Sequence, residues 1–132
     1  MLFVTPIIAS ILTMVFLQLS FAVIQLRRKN KVGLGTGGHD ELERAIRAQG
    51  NFAEYVPMAL ILLFLFEFNG APLWLVSILG AALIIGRVMH AKGIKQPPPY
   101  FRDRIIGMRF TIGTLIALVF FNVTWLLAQF WL

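Results

Sequence analysis

Long apolar stretches alternate with short polar ones along this chain. Residues 1–26 carry no charge, residues 55–86 carry only Glu67, and residues 110–132 carry none. A helix crosses a hydrocarbon core of about 30 Å in roughly 20 residues, so the pattern predicts four membrane-spanning helices, at about 3–26, 40–68, 72–91 and 102–130. The breaks between them carry their own signals. Gly33, Gly35, Gly37 and Gly38 mark residues 32–38 as a loop,. Asp40 and Glu43 have the spacing of a capping box at the start of the second helix,. Asn69 and Gly70 end that helix, and Pro72 suits the first turn of the next. Gly93 has the character of a C-terminal cap ahead of the break at Pro97, Pro98 and Pro99,.

The second helix would be roughly 43 Å long at 1.5 Å per residue, more than a bilayer core needs. Its polar first third therefore lies at or beyond the headgroups, and Pro57 is expected to kink it near the junction,. The first helix lacks a basic segment ahead of its apolar run and is followed by Arg27, Arg28, Lys29 and Lys31, so it reads as a retained anchor rather than a signal peptide,. The expected fold is all-α: one domain over residues 1–132, an up-down bundle of four transmembrane helices. Gly80, Ala81, Ala82 and Gly86 would let the third helix approach a neighbour closely,.

Composition supports a membrane home, because 58% apolar with 14% charged residues is more apolar surface than a soluble domain of this length can bury,. The basic residues fall in two clusters, Arg27 to Arg47 and Arg87 to Arg109. By the positive-inside rule both clusters face the cytosol, which puts both termini and the Glu67 connection on the far side, as in a bacterial inner membrane. A net charge of +6 is no sign of nucleic-acid binding here, because no nucleic-acid module is visible and the charge is confined to loops beside apolar runs,. Anionic lipid headgroups and an anionic ligand are the expected partners. The chain has no cysteine, so any thiol chemistry must come from a bound substrate. Nor does any Asp, Glu or second His stand at a spacing suited to a metal.

The candidate chemistry lies at the cytosolic ends of the spans. Arg44, Arg47, Asn51 and Glu54 recur at intervals of three and four, with Arg47, Asn51 and Glu54 on one helical face,. A charge at membrane depth costs on the order of 3 kcal/mol, so this face should meet a cavity or the bundle interior. It would serve either as a binding surface or as an internal salt-bridge network between helices. Arg87 and His90, one turn apart on the third helix, could meet that stripe. Arg102, Arg104 and Arg109 open the fourth helix.

The run Glu43-Arg44-Ala45-Ile46-Arg47-Ala48-Gln49-Gly50-Asn51, followed by Glu54-Tyr55-Val56-Pro57, resembles the signature of the MAPEG family, the membrane-associated proteins in eicosanoid and glutathione metabolism. It is most similar to the cysteinyl-leukotriene synthase form of the motif. Gly86-Arg87-Val88-Met89-His90 looks more like the membrane prostaglandin-E synthase branch. The resemblance implies a homotrimer that binds glutathione between adjacent subunits at the cytosolic side and draws a hydrophobic small-molecule substrate from the bilayer. It further implies that Arg47, Asn51, Glu54 and Tyr55 hold the tripeptide, with Gln49 contributing from the next turn and Arg27 or Arg28 reaching in from the first helix. Arg87 and His90 would line the site, His90 in the place of a ligand-contacting His or Tyr. Arg104 would be the catalytic arginine that activates the thiol, with Arg102 as its possible substitute.

Two positions depart from the pattern. Ile94 stands where the eicosanoid-synthesising branches have Tyr, and Ile105 follows Arg104 where the prostaglandin branch has Ser. The expected function is thus a glutathione-dependent transferase or peroxidase acting on a lipophilic electrophile. The competing expectation is a noncatalytic lipid- or glutathione-binding protein of the same fold. A transporter is disfavoured, because Glu67 is the only charge in the span between the basic clusters,.

Overall fold

The computed structural model describes residues 2–96 and 102–131, apart from the side chain of Lys95. These residues form four helices, α1 (Val4–Asn30), α2 (Asp40–Phe68), α3 (Leu73–Lys95) and α4 (Arg102–Trp131). Each is long and apolar enough to cross a membrane. The run of prolines at 97–99 lies outside the described residues.

The helices form an up-down bundle. The end of α2 meets the start of α1, and the end of α3 meets the start of α4. Helices α2 and α3 each touch all the others, whereas α1 and α4 flank them without touching each other among the described residues. The core is a column of Leu12, Leu63, Leu83 and Leu118, closed at the far end by Phe66 against Phe121 and Trp125. Ile7, Met14 and Phe21 of α1 and Ile116, Phe120 and Leu127 of α4 point outward, as lipid-facing side chains do.

Several helix ends differ from expectation for local physical reasons. Helix α1 continues past Leu26 to Asn30, which puts Arg27, Arg28 and Lys29 in its last turn, where the helix dipole favours cations,. It stops because Lys31 takes a left-handed conformation (φ 55°) and the N–H groups of Lys31 and Val32 return to the carbonyls of Arg28 and Arg27, a Schellman ending. The capping box does not form. His39 precedes α2, no side chain caps the helix start, and Asp40 is its first residue, so Asp40 and Glu43 act there only through the dipole,.

Nor does Gly93 cap α3, which runs on to Lys95. Gly93 is in the helix interior because a Cβ there would run into the backbone N of Arg104. Gly107 on α4 is equally tight, facing the backbone N of His90, and a Cβ on Gly86 would come within 2.9 Å of Phe110 Cβ. Three glycines thus bring the C-terminal half of α3 and the N-terminal half of α4 into near backbone contact,.

At the opposite end Glu67 is buried against the first turn of α1. Its Oε1 accepts from the N–H groups of Phe3 (2.6 Å) and Val4 (2.8 Å), and its Oε2 accepts from Thr5 N–H (2.6 Å). The first N–H groups of a helix have no partners within it. Here a carboxylate from the end of the next helix supplies them. Nearby, Trp125 Nε1 and Gln129 Nε2 donate to the Asn69 carbonyl, tying α4 to the α2–α3 turn.

Candidate functional site

The half of the bundle that holds the start of α2 and the end of α3 is organised around Arg87, which is fully buried. Its guanidinium donates to Asn51 Oδ1 on α2 (2.9 Å) and to Thr111 Oγ1 on α4 (3.5 Å), and lies 3.4 Å from His90 Nδ1 one turn along its own helix. The Phe52 ring lies 5.4 Å beneath its central carbon, a cation–π arrangement that offsets part of the lost hydration. Its polar partners are an amide oxygen, a hydroxyl and an imidazole, none of them a carboxylate. The two polar stripes on α2 and α3 therefore meet, through Asn51 and Arg87.

Two clefts open beside this node. One, of about 410 Å³, is walled by Asp40, Glu43, Arg44 and Arg47 of α2, by Gly93, Ile94 and Gln96 at the end of α3, and by Arg104. The second, of about 640 Å³, follows α4 along Ile105, Met108, Ile112, Gly113 and Ile116, with Asn51, His90, Arg104 and Arg109 at its polar end. Arg104 is common to both. The first cleft offers guanidinium and carboxylate groups together, suited to a ligand bearing both signs of charge. The second is apolar for most of its length and lies among outward-facing residues of α4, suited to a lipophile.

The expected site residues divide according to these clefts. Arg47 and Arg104 are exposed and line the polar cleft. Asn51 and His90 line the apolar groove instead. Arg87 touches neither cleft directly and stands behind both of those residues. Glu54 is exposed and Tyr55 half-buried, in the membrane half of α2 and outside both clefts. Gln49 Nε2 donates to Ser20 Oγ (3.0 Å) and so links α2 to α1. Arg27 folds back on the loop that follows its own helix, its Nη1 donating to the carbonyls of Gly35 (3.0 Å), Gly33 (3.3 Å) and Val32 (3.5 Å). Arg28 and Arg102 are exposed and border neither cleft.

Three features of the site were not singled out from sequence. Asp40 and Glu43 form the acidic wall of the polar cleft, although their spacing suggested only a helix cap. The groove residues Ile105, Met108, Ile112 and Ile116 recur every three or four positions, a stripe legible in principle but hidden in a helix that is apolar all round. Thr111 donates its hydroxyl proton to the Gly107 carbonyl (2.9 Å) and accepts from Arg87.

A four-helix membrane bundle with a charged crevice beside an apolar groove is the class of protein these features define. The sequence model of the MAPEG family matches residues 4–124, and the chain belongs to that family, the membrane-associated proteins in eicosanoid and glutathione metabolism. It is similar to the inner membrane protein YecN of Escherichia coli (strain K12), with 38% identity over 120 residues covering 91% of this chain and 90% of that protein. YecN from a second Escherichia coli strain matches equally. The sll1147 protein of Synechocystis sp. is 30% identical over 128 residues, covering 92% of this chain and 89% of its own length.

Proposed function

We propose that this protein is a glutathione-dependent membrane transferase or peroxidase that brings the tripeptide from the cytosol together with a lipophilic electrophile from the bilayer. The observation that carries the reading is the position of Arg104 on the shared edge of a polar cleft and an apolar groove. Glutathione has two carboxylates and an ammonium. Arg44 and Arg47 suit the former, and Asp40 and Glu43 the latter. Its sulfur would lie near Arg104, facing the groove. A thiol of pKa about 8.5 needs roughly 2.7 kcal/mol of preferential thiolate stabilisation to ionise two units lower. One partly desolvated guanidinium can supply that. The thiolate then attacks the electrophile, with Arg104 stabilising the attacking charge. Arg104 is favoured over Arg102, which borders neither cleft.

Glu54 and Tyr55 enter this reading through a second subunit. Glu54 is exposed within a membrane-spanning helix, where facing lipid would cost on the order of 3 kcal/mol. A neighbouring copy covering this face would bury the carboxylate and complete the glutathione site between subunits, in a homotrimer. The proposed location is a bacterial inner membrane with the basic clusters in the cytosol and both termini outside. The name of the YecN relative and the loop charge asymmetry support it,.

The test is conjugation of glutathione to an aryl halide by the purified protein, with the thiolate followed by its ultraviolet absorbance. The wild type is expected to form the thiolate and turn over. Arg104→Ala should lose the absorbance band and about 100-fold in rate, the equivalent of roughly 2.7 kcal/mol. Glutathione binding without turnover, together with an unchanged band in Arg104→Ala, would overturn the catalytic assignment. A noncatalytic lipid-binding role draws on Ile94, an apolar side chain in the wall of the polar cleft. It predicts no calorimetric signal with glutathione and retention of an apolar ligand through purification.

A further inference from the structure

The hydrogen-bond polarity around Arg87 fixes which atoms of its neighbours carry protons. A guanidinium only donates, so each of its partners must offer a lone pair. Thr111 does so, having committed its hydroxyl proton to the Gly107 carbonyl at 2.9 Å. Asn51 does so by turning Oδ1 toward Arg87 Nη2, at 2.9 Å. His90 Nδ1 lies 3.4 Å from the same Nη2. A proton there would set two donors against each other, so the ring proton belongs on Nε2.

Asn51 and His90 both line the apolar groove beside Arg104. With Oδ1 and Nδ1 engaged behind the wall, the polar groups left for the groove are the Asn51 amide N–H₂ and the His90 Nε2–H. Both are donors. We propose that Arg87 is a positioning residue that locks the Asn51 amide and the His90 tautomer, so that the polar end of the groove presents paired donors to a carboxylate or carbonyl oxygen of the ligand. Arg87 touches the groove only through these two side chains, being itself fully buried and absent from the walls of both clefts. The bearing on thiol chemistry rests on the glutathione reading above, whereas the proton positions do not.

The chain has two histidines, and His39 in the exposed loop ahead of α2 is an internal reference. Nuclear magnetic resonance of the full-length protein with isotope-labelled histidine reports the tautomer of each ring directly. The Nε2–H form of His90 is expected to dominate by at least roughly tenfold, equal to about 1.4 kcal/mol. Arg87→Lys, still a donor, should keep that preference. Arg87→Met should reduce it to a mixture resembling His39. If Arg87→Met does not accumulate, Arg87→Gln takes its place, because its amide oxygen can accept an imidazole proton and so permits the other tautomer. Finding Nδ1–H in the wild type, or an unchanged preference in Arg87→Met or Arg87→Gln, overturns the proposal. In turnover, loss of Arg87 should raise KM for glutathione about tenfold and leave the thiolate band in place. Should the tautomer be as stated while glutathione does not bind, the glutathione reading fails and the positioning role stands.

Discussion

Replacing Glu67 with Ala removes the single acceptor group for three helix-terminal N–H donors, and the structure allows the cost to be worked out. The three bonds are 2.6, 2.8 and 2.6 Å long. A hydrogen bond to a charged group contributes about 1.5–3 kcal/mol, and a partly buried charge at a helix end up to about 2 kcal/mol. These contributions overlap and are not summed. Phe3 is 52% exposed, so its freed amide regains water, but Thr5 is only 6% exposed and its amide does not. The buried orphan donor at Thr5, with the overlapping dipole contribution counted within it, sets the cost at about 3 kcal/mol for Glu67→Ala. Glu67→Gln keeps one acceptor oxygen and should lose about half as much. Reversible unfolding in mixed micelles measures the global effect. Amide hydrogen exchange at Val4 and Thr5 measures the local one, with an expected acceleration of about 100-fold, since each 1.4 kcal/mol is a factor of ten. A destabilisation below about 0.5 kcal/mol with unchanged exchange at Thr5 would show that the carboxylate does not hold α1, and would refute the reasoning.

Other substitutions test the packing and the site. Gly107→Ala and Gly93→Ala each drive a methyl into the backbone of the facing helix and should destabilise by about 2–4 kcal/mol in the same assay. Gly113→Ala, with nothing within 4 Å, should gain up to about 1 kcal/mol through helix propensity. Asn122→Leu removes the α4-to-α2 bond from Asn122 Nδ2 to the Leu62 carbonyl (3.0 Å) and is expected to cost about 1 kcal/mol, within the range for interhelical hydrogen bonds in membranes. Arg47→Ala removes an exposed cation from the polar cleft, and calorimetry should show glutathione affinity weakened about tenfold or more, with unfolding stability within about 0.5 kcal/mol of wild type.

The spans were legible because charge-free runs of this length have few alternatives in water or lipid. The polar stripe on α2 was legible for a related reason, since Arg47, Asn51 and Glu54 share a face that lipid would penalise. Other features depend on partners that sequence spacing does not identify. The carboxylate of Glu67 serves amides more than 60 positions earlier in the chain. Arg27 could have extended toward a ligand, yet the glycine-rich loop after α1 brings three carbonyls within its reach. Gly93 shows the difficulty most directly. A glycine near a helix end fits a cap as well as a close packing contact, and only the position of Arg104 on the neighbouring helix decides between them.

Among the described residues, Arg87 and Glu67 are the two charged side chains buried in this bundle, at its opposite ends, and they solve the same problem without pairing with each other. Removing one member of a buried ion pair strands the other, and the pair itself contributes little net stability. Glu67 instead takes backbone N–H groups that needed an acceptor in any case. Arg87 takes an amide oxygen, a hydroxyl and an imidazole nitrogen, all neutral. The difference matters at the Arg87 end. Had Arg87 bonded directly to a carboxylate, its charge would be locally cancelled and Asn51 and His90 would be free to rotate or change tautomer. Bound to neutral acceptors, it orients both side chains and remains a cation behind the wall that Arg104 also borders. A low-dielectric site that keeps two guanidinium charges close to fixed donors is electrostatically prepared for an anion. The same arrangement is poorly suited to a purely apolar guest, which could neither use the donors nor balance the charge.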